Sequence, residues 1–329
     1  MKTKTKIAEW NTYWLSMASP HLRHTTIDQY RDVLEHILNP SIGHFCLSEF
    51  NAGHAQQFVI DELKRNRGLS RLKLAVIVEK MVFEEAFEEG MIPYNAFRLL
   101  RLPRGMKKET AILYSSDIRA MMTDHAGLPY TPLFVIIYLL ALRIGEALGL
   151  MWKDIDFENR EVLISRQLTR TRHNGHVLYQ LDNYTKNDVI DTVDLNDLSV
   201  CWFQIQKQRQ ENWSGLHHQY CNPEGYVFTD EYGSRLNYDK AYYQFNKLMA
   251  LIGRPDVTPH SLRHTAASVA LYTTENRLFV SEFLRDRSLQ AVDTYAQPTY
   301  EQQLGFARAL HKEFSALIRC AIGEEYCHD

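Results

Sequence analysis

The stretch TPLFVIIYLLALRIGEALGLMWKDID, residues 131–156, decides how the second half of this chain is read. Its first twelve residues are apolar on nearly every face, and Pro132 suits a first helical turn, so they predict a buried helix. The residues that follow predict a short helix and then a strand. Arg143 stands at the end of the apolar helix, where burying its charge is costly unless the guanidinium is paired or binds an anion.

The hundred residues at the N-terminus predict helices. Apolar residues recur at helical spacing in IAEWNTYWLSMA and TTIDQYRDVLEHIL, and AGHAQQFVIDELKR and SRLKLAVIVEKMVFEEAFEEG give two more helices. The last helix ends at Gly90, with Pro93 beyond it, which is a helix-stop pattern. Periodicity then stops in RLLRLPRGMKK, residues 98–108. We interpret this stretch as an interdomain linker, either a solvated basic loop or a strap along phosphates.

Beyond the linker, SSDIRAMMTDHA restarts a helix with Ser at its cap, and HVLYQLDNYTKNDVIDTVDL alternates like small antiparallel β-structure. Helices return from Asn237. We therefore predict a mainly α protein with two domains: a helical domain over residues 1–105, and a mixed α/β, mostly helical domain with a small antiparallel sheet over residues 106–329.

Composition excludes few functions. The net charge of the 329 residues is −3, divided into +4 over residues 1–108 and −7 over the rest, so the total neither supports nor excludes DNA binding. The longest apolar run, Leu133–Leu142, is about half of what a membrane-spanning helix needs. The N-terminus, MKTKTKIAEW, has no signal-peptide core behind it, so we expect a cytoplasmic protein without membrane contact.

The five cysteines are scattered and without a CxxC pair, which indicates reduced thiols. His217, His218 and Cys221 lie close together in the sequence. Their surroundings predict a polar loop with no second pair of ligands, so we expect no metal site there.

Several polar residues do not suit a core role. Glu146 lies one helical turn after Arg143 and either orients it or forms a purely structural pair. TPHSLRHTAAS presents His260 and Arg263 at i and i+3, and a guanidinium binds two phosphate oxygens in a fork. Lys186, in NYTKND, lies at a predicted hairpin turn, where it is either merely solvated or a mobile general acid.

The order of these segments is more specific than any one of them. ALRIGEALGLMWKDID, a β-turn lysine, TPHSLRHTAAS and DTYAQ together resemble the tyrosine recombinase family, of the phage-integrase type. The resemblance runs from about Ile7 onward and makes the first domain similar to the family's core-binding, DNA-clamping domain. The second is then the catalytic domain with a C-terminal helix. The resemblance as a whole implies a site-specific recombinase without a separate arm-binding domain.

The resemblance implies DNA cleavage by transesterification through a 3′-phosphotyrosine, with no ATP, metal or other cofactor. Arg143 and Arg263 match the arginines that grip the non-bridging phosphate oxygens, with Glu146 in support. His260 matches a general base or hydrogen-bond donor, and Lys186 matches the lysine that protonates the leaving 5′-oxygen.

Two tyrosines compete for the role of nucleophile. Tyr295, in VDTYAQ, matches the family pattern around the reactive tyrosine, whereas Tyr300, in QPTYEQ, does not. The chain departs from the family at Asp286, nine residues before Tyr295, where His or Trp is usual within an LGHS-like turn. An ionised Asp donates no hydrogen bond. Either Asp286 turns away, pairing with Arg285 or Arg287, or the site is slower or active only after assembly.

The resemblance also implies the partners: double-stranded DNA core sites, a homotetramer on two duplexes, and accessory DNA-bending or directionality proteins. We expect the protein to be associated with the nucleoid. Ser70, Arg71 and Lys73 open the helix that faces DNA in the family. Two alternatives stay open, namely a relative that binds such sites with impaired catalysis, and an enzyme similar to type IB topoisomerases.

Overall fold

A computed structural model describes residues 4–66, 68–103, 111–173, 176–183 and 191–285 of the chain. The chain divides into two compact units. The first is Met1–Lys108 with Thr171–Leu178, and the second is Glu109–Arg170 with Tyr179–Asp329. The domain boundary between residues 105 and 106 stays a prediction, because residues 104–110 lie outside the described part.

The described part of the first unit up to residue 103 is helical, and the described residues of its remaining segment, Thr171–Leu178, belong to two β-strands described below. Its α-helices are α1 Ile7–Ala18, α2 His24–Val33, α3 Asn39–Ile42, α4 Ala52–Lys64 and α5 Leu69–Glu88; a π-helical turn covers Leu34–Leu38, and 3-10 turns cover Ser19–His21 and Leu47–Glu49. The α5 helix ends as predicted. Gly90 adopts φ +70°, and the N–H groups of Gly90 and Met91 donate to the carbonyls of Phe87 and Ala86. This is a Schellman ending, in which glycine takes the left-handed position.

Apolar stripes of the helices meet in one core in this unit. Trp10 and Trp14 of α1 are buried there, and the indole N–H of Trp10 donates to the Val82 carbonyl at 3.0 Å. Phe83 and Phe97 pack edge to face with ring centroids 5.1 Å apart. The Trp10 indole, which the sequence places at helical spacing, therefore supplies a contact between α1 and α5.

A carboxyl group lies within this core. Glu79 of α5 is fully buried, and neither carboxyl oxygen has a hydrogen bond of good geometry among the described residues. Burial raises the pKa of Glu79 to about 8, and the neighbouring Asn11 side chain lowers it only in part. Because the folded pKa lies above the unfolded one, folding at neutral pH takes up a proton, which makes Glu79 a cost to stability.

Replacing Glu79 by Gln is expected to stabilise the protein as pH rises. Below the unfolded pKa of Glu79 its carboxyl group is protonated in both states, and the unfolding free energy is not reduced. The unfolding free energy then falls as pH rises, until about pH 8, the folded pKa. The wild type should therefore lose about 1.4 kcal/mol of unfolding free energy per pH unit, relative to Glu79→Gln, between roughly pH 5 and 8. Urea unfolding across this range measures the difference. Glu88→Gln, at an exposed position of the same helix, is the control. Parallel pH curves for wild type and Glu79→Gln would contradict the prediction.

The second unit is mostly helical. Its described α-helices are α6 Ser115–Met122, α7 Thr131–Leu139, α8 Ile144–Gly149, α9 Asp197–Leu216, α10 Tyr238–Ile252, α11 Pro259–Thr274 and α12 Arg277–Phe283. The α7 helix is buried, as predicted, and packs against α6, α8, α9 and α11. No helix within the described ranges is both long enough and apolar enough to cross a bilayer.

The described strands form two small sheets. Their bounds are β1 Ile155–Asp156, β2 Glu161–Ile164, β3 Gln167–His173, β4 His176–Asp182 and β5 Asp191–Asp194. The first sheet has the order β1-β2-β5 and is antiparallel, with Val162 opposite Ile155 on one side and Val193 on the other. The second consists of β3 and β4. The prediction of a mainly α fold with small antiparallel β-structure is thus confirmed.

The structure corrects the predicted end of the apolar helix. We predicted that Arg143 ends it, but α7 stops at Leu139. Ala141 takes the left-handed position with φ +46°, and the Leu142 N–H donates to the Ile137 carbonyl, which closes the helix in Schellman fashion. Arg143 instead precedes α8 as its N-cap residue.

The predicted Ser cap of α6 is also wrong. Tyr114 is the N-cap residue, and Ser115 is already the first helical residue. The carboxylate of Asp117 accepts from the Tyr114 N–H at 2.8 Å, so an acidic residue in the first turn supplies the cap contact.

Candidate active site

Arg143 and Glu146 form one unit at the start of α8. The Arg143 backbone N–H donates to Glu146 Oε2 and its guanidinium Nη1 donates to Oε1, both at 2.8 Å. The Glu146 side chain is fully buried, while 22% of the Arg143 side chain is exposed. One carboxylate therefore accepts from the N-cap backbone N–H, as the third helical residue of a capping box does, and also forms an ion pair with the side chain of the same arginine.

Close packing against β3 explains the glycine between Arg143 and Glu146. A Cβ on Gly145 would lie 2.5 Å from the Leu168 carbonyl oxygen and 2.5 Å from the Tyr238 hydroxyl. The hydroxyl itself donates to that carbonyl at 3.0 Å. Any larger residue at 145 would push α8 away from β3 and displace the Glu146 carboxylate.

Arg263 approaches the same site from the first turns of α11. Arg263 is only 2% exposed, and its guanidinium donates to the backbone carbonyls of Ala141 and Leu284. Thr258 is the N-cap residue of α11 and Pro259 its first residue, a position that suits proline. A buried guanidinium held by carbonyl oxygens keeps a fixed direction and its full positive charge.

Glu146 faces three arginines. Burial acts to raise the pKa of this carboxyl group, but Arg285, then Arg143 and Arg263, together hold it below its ordinary value. Arg285 donates from Nη2 to Glu146 Oε2 at 3.0 Å. The carboxylate is therefore ionised, and positive charge exceeds negative charge around it, which favours an anion such as phosphate.

Sequence reasoning missed the place of Arg285. We considered it only as a partner for Asp286, whereas its described carboxylate partner is Glu146. The contact joins residues 139 positions apart, so no local spacing signals it. The one available signal was the turn LRDRS, where an LGHS-like turn has Gly in place of Arg285.

His260 lies one turn before Arg263 and is exposed. Its ring contacts the His264 ring edge to face, with centroids 4.5 Å apart. Burial, His260 and Arg263 lower the pKa of His264 to about 4, so His264 is neutral at physiological pH. An exposed imidazole beside a neutral one is accessible to a substrate that approaches α11.

The remaining predicted site residues fall into two groups. Lys186, Asp286, Tyr295 and Tyr300 lie outside the described residues. Ser70, Arg71 and Lys73 are on the first turns of α5; Ser70 and Arg71 are exposed, and Arg71 pairs with Asp32. An ion pair so exposed contributes little energy and is readily exchanged for a phosphate contact. In the described part of the chain, no three His, Cys, Asp or Glu side chains are grouped as metal ligands.

The sequence profile of the Phage integrase family matches residues 112–302, more than half of the chain. Tyrosine recombinase XerC of Halalkalibacterium halodurans is 23% identical over 309 residues, which cover 91% of this chain and 94% of the relative. A XerC-like tyrosine recombinase of Caldanaerobacter subterraneus subsp. tengcongensis is 30% identical over 204 residues, 57% of this chain. The match spans about half of that relative, 52% of its length.

Solved structures share the fold at low identity. The Tn1549 transposon integrase in complex with transposon right end DNA has a TM-score of 0.75 at 18% identity; the match covers 94% of this chain and 99% of that one. The XerH site-specific recombinase bound to a palindromic difH substrate has a TM-score of 0.63 at 16% identity, with 96% and 98% covered. At such identities the likeness concerns the fold alone.

Proposed function

The chain belongs to the phage integrase family of tyrosine recombinases, and from that premise we propose that it cuts and rejoins DNA at specific sites by transesterification. The observation that carries the proposal is the pair Arg143 and Arg263 beside one ionised carboxylate, Glu146. Fixed guanidinium groups stabilise the charge that builds up on a phosphate in the transition state, and such preorganised donors contribute several kcal/mol.

The proposed first step forms one bond and breaks another. The Tyr295 oxygen attacks the scissile phosphorus and the bond to the 5′-oxygen breaks, which leaves a 3′-phosphotyrosine and a free 5′-hydroxyl. The phenolic proton leaves with His260 as general base, and Lys186 supplies the proton to the 5′-oxygen. The phosphodiester energy stays in the tyrosyl ester, so a second 5′-hydroxyl rejoins the strand without ATP.

We further propose how the chain engages DNA. Residues 1–105 would form the DNA clamp, with Ser70, Arg71 and Lys73 against phosphates, and residues 106–329 the catalytic domain. The net charge of +4 over residues 1–108 favours this division. The proposed substrate is a pair of duplexes with short core sites, held by a homotetramer with accessory DNA-bending or directionality proteins. Acting on chromosomal DNA would place the protein at the nucleoid.

A nicked duplex tests the proposed activity. The probe is DNA from either flank of the gene, nicked just 3′ of each candidate cleavage position so that the freed end diffuses away and the intermediate is trapped. We expect an SDS-resistant, protease-sensitive adduct that forms in EDTA and without ATP. Binding to a flanking site without any adduct would favour a relative that has lost strand exchange. The reason to consider this alternative is Asp286, where the family usually has His or Trp. Relaxation of plasmids that lack the site would favour a topoisomerase.

A further inference from the structure

The Arg285 side chain is buried against the groups that hold the site together. Only 6% of it is exposed. Its Nη2 donates to Glu146 Oε2 at 3.0 Å and to the Ala141 carbonyl at 3.2 Å, and its Nη1 donates to the Leu140 carbonyl at 3.3 Å. The Nε atom is buried and has no hydrogen-bond partner among the described residues. The guanidinium therefore faces inward, toward the carboxylate and the turn after α7.

The backbone at this position does not favour arginine. Arg285 has φ +52°, in the left-handed region where glycine is unstrained and a side chain is disfavoured. Its N–H donates to the Glu282 carbonyl at 2.8 Å, a contact that any non-proline residue would make. A strained position occupied by a long charged side chain indicates that the side chain has a use that outweighs the strain.

The partners of Arg285 are also the partners of the two arginines proposed to grip phosphate. Glu146 holds Arg143 through both carboxylate oxygens, and the Ala141 carbonyl accepts from Arg263 as well as from Arg285. Arg285 thus contacts the anchor of each arginine. Arg285 also gives Glu146 a second cationic partner. The negative charge of the carboxylate is therefore shared between two arginines, and Arg143 keeps more of its positive charge.

We propose that Arg285 is a positioning residue for DNA cleavage, which holds Glu146 and the Ala141 carbonyl so that Arg143 and Arg263 keep their direction and charge toward the scissile phosphate. This inference rests on the proposed function. Arg285 does not touch the DNA, because both its Nη atoms donate to protein groups and its Nε is buried. Removing it should slow the chemical step and leave DNA affinity nearly unchanged.

Two substitutions test the role in the full-length protein. Arg285→Gly removes the side chain and relieves the left-handed backbone, and Arg285→Lys keeps the charge with fewer donors. On the nicked duplex, at saturating protein, we expect the single-turnover cleavage rate to fall about 10- to 100-fold for Arg285→Gly. Arg285→Lys should show an intermediate rate. The Kd for DNA should stay within about threefold of the wild-type value for both variants. Arg209→Lys is the matched control, because Arg209 also binds backbone carbonyls, those of Leu128 and Pro129, away from this site.

The pH profile separates positioning from mere packing. The charged and titratable groups that face Glu146 are Arg143, Arg263, Arg285 and Tyr238, so Arg285 is one of three cations that keep it ionised. Without Arg285, the ratio of variant to wild-type cleavage rate should fall further as pH is lowered from 8 to 6. A variant whose loss is constant with pH and follows its thermal unfolding or its Kd would overturn the inference.

The outcomes also separate this inference from the function on which it rests. If the wild type forms no adduct with any flanking DNA, the proposed function fails. If the wild type forms the adduct and Arg285→Gly cleaves at the same rate with the same pH profile, the function stands and the role of Arg285 is refuted.

Discussion

Tyr295→Phe is expected to abolish the covalent protein–DNA adduct, lowering its rate of formation by more than about a thousandfold. The substitution removes only the phenolic oxygen, which is the proposed nucleophile, and keeps the aromatic ring. A phenyl ring has no oxygen that can attack phosphorus, so the loss should not recover at high pH or over long incubation. Adduct is measured on a denaturing gel with the nicked duplex labelled on the strand that keeps the 3′-phosphate.

The control for this experiment is Tyr300→Phe. Tyr300 lies five residues further along, and its segment QPTYEQ lacks the pattern found around Tyr295. This variant should form adduct at the wild-type rate, and both variants should bind DNA within about threefold of wild type, because affinity comes mainly from phosphate contacts elsewhere. Adduct that survives Tyr295→Phe and disappears with Tyr300→Phe would reverse the assignment of the nucleophile.

Local sequence signals predicted most of the helices. The prediction that helices return only from Asn237 is wrong, because α9 already covers Asp197–Leu216. The end of α5 follows from Gly90, because this residue acts through its own backbone conformation. The end of α7 could not be predicted in this way. Ala141 occupies a left-handed position that usually takes glycine, so the residue type conceals the turn and apolar sequence continues across it.

In the candidate site, too, local contacts could be predicted from the sequence and contacts between distant segments could not. Arg143 and Glu146 are three positions apart in one chain segment, and the capping-box geometry follows from that spacing. The shared Ala141 carbonyl and the Arg285–Glu146 contact join α7, α8, α11 and the turn after α12. Such contacts depend on how helices pack, and packing between distant segments leaves no periodicity in a single sequence. The family resemblance predicted Arg143, Arg263 and the supporting Glu146, but it did not predict that Arg285 pairs with Glu146.

Arg143→Lys should show the second large effect, a fall of about 10²- to 10³-fold in single-turnover cleavage, or roughly 3–4 kcal/mol of transition-state stabilisation. Lysine keeps the positive charge but loses the planar fork that pairs with Glu146 and that we propose binds two phosphate oxygens at once. The fold should persist, because the backbone N–H at position 143 still donates to the Glu146 carboxylate and Arg285 still pairs with that carboxylate. Quenched-flow cleavage at saturating protein, with the Kd for DNA measured in parallel, separates chemistry from binding.

Arg166→Lys is the matched control, since Arg166 forms a partly buried ion pair with Asp154 in the same unit. It should cleave within about threefold of wild type, because a structural ion pair contributes to stability and not to the transition state. If Arg143→Lys also cleaved within that range, positive charge alone would suffice near the phosphate. The bidentate grip, and with it the reason for anchoring Arg143 through both oxygens of Glu146, would then be refuted.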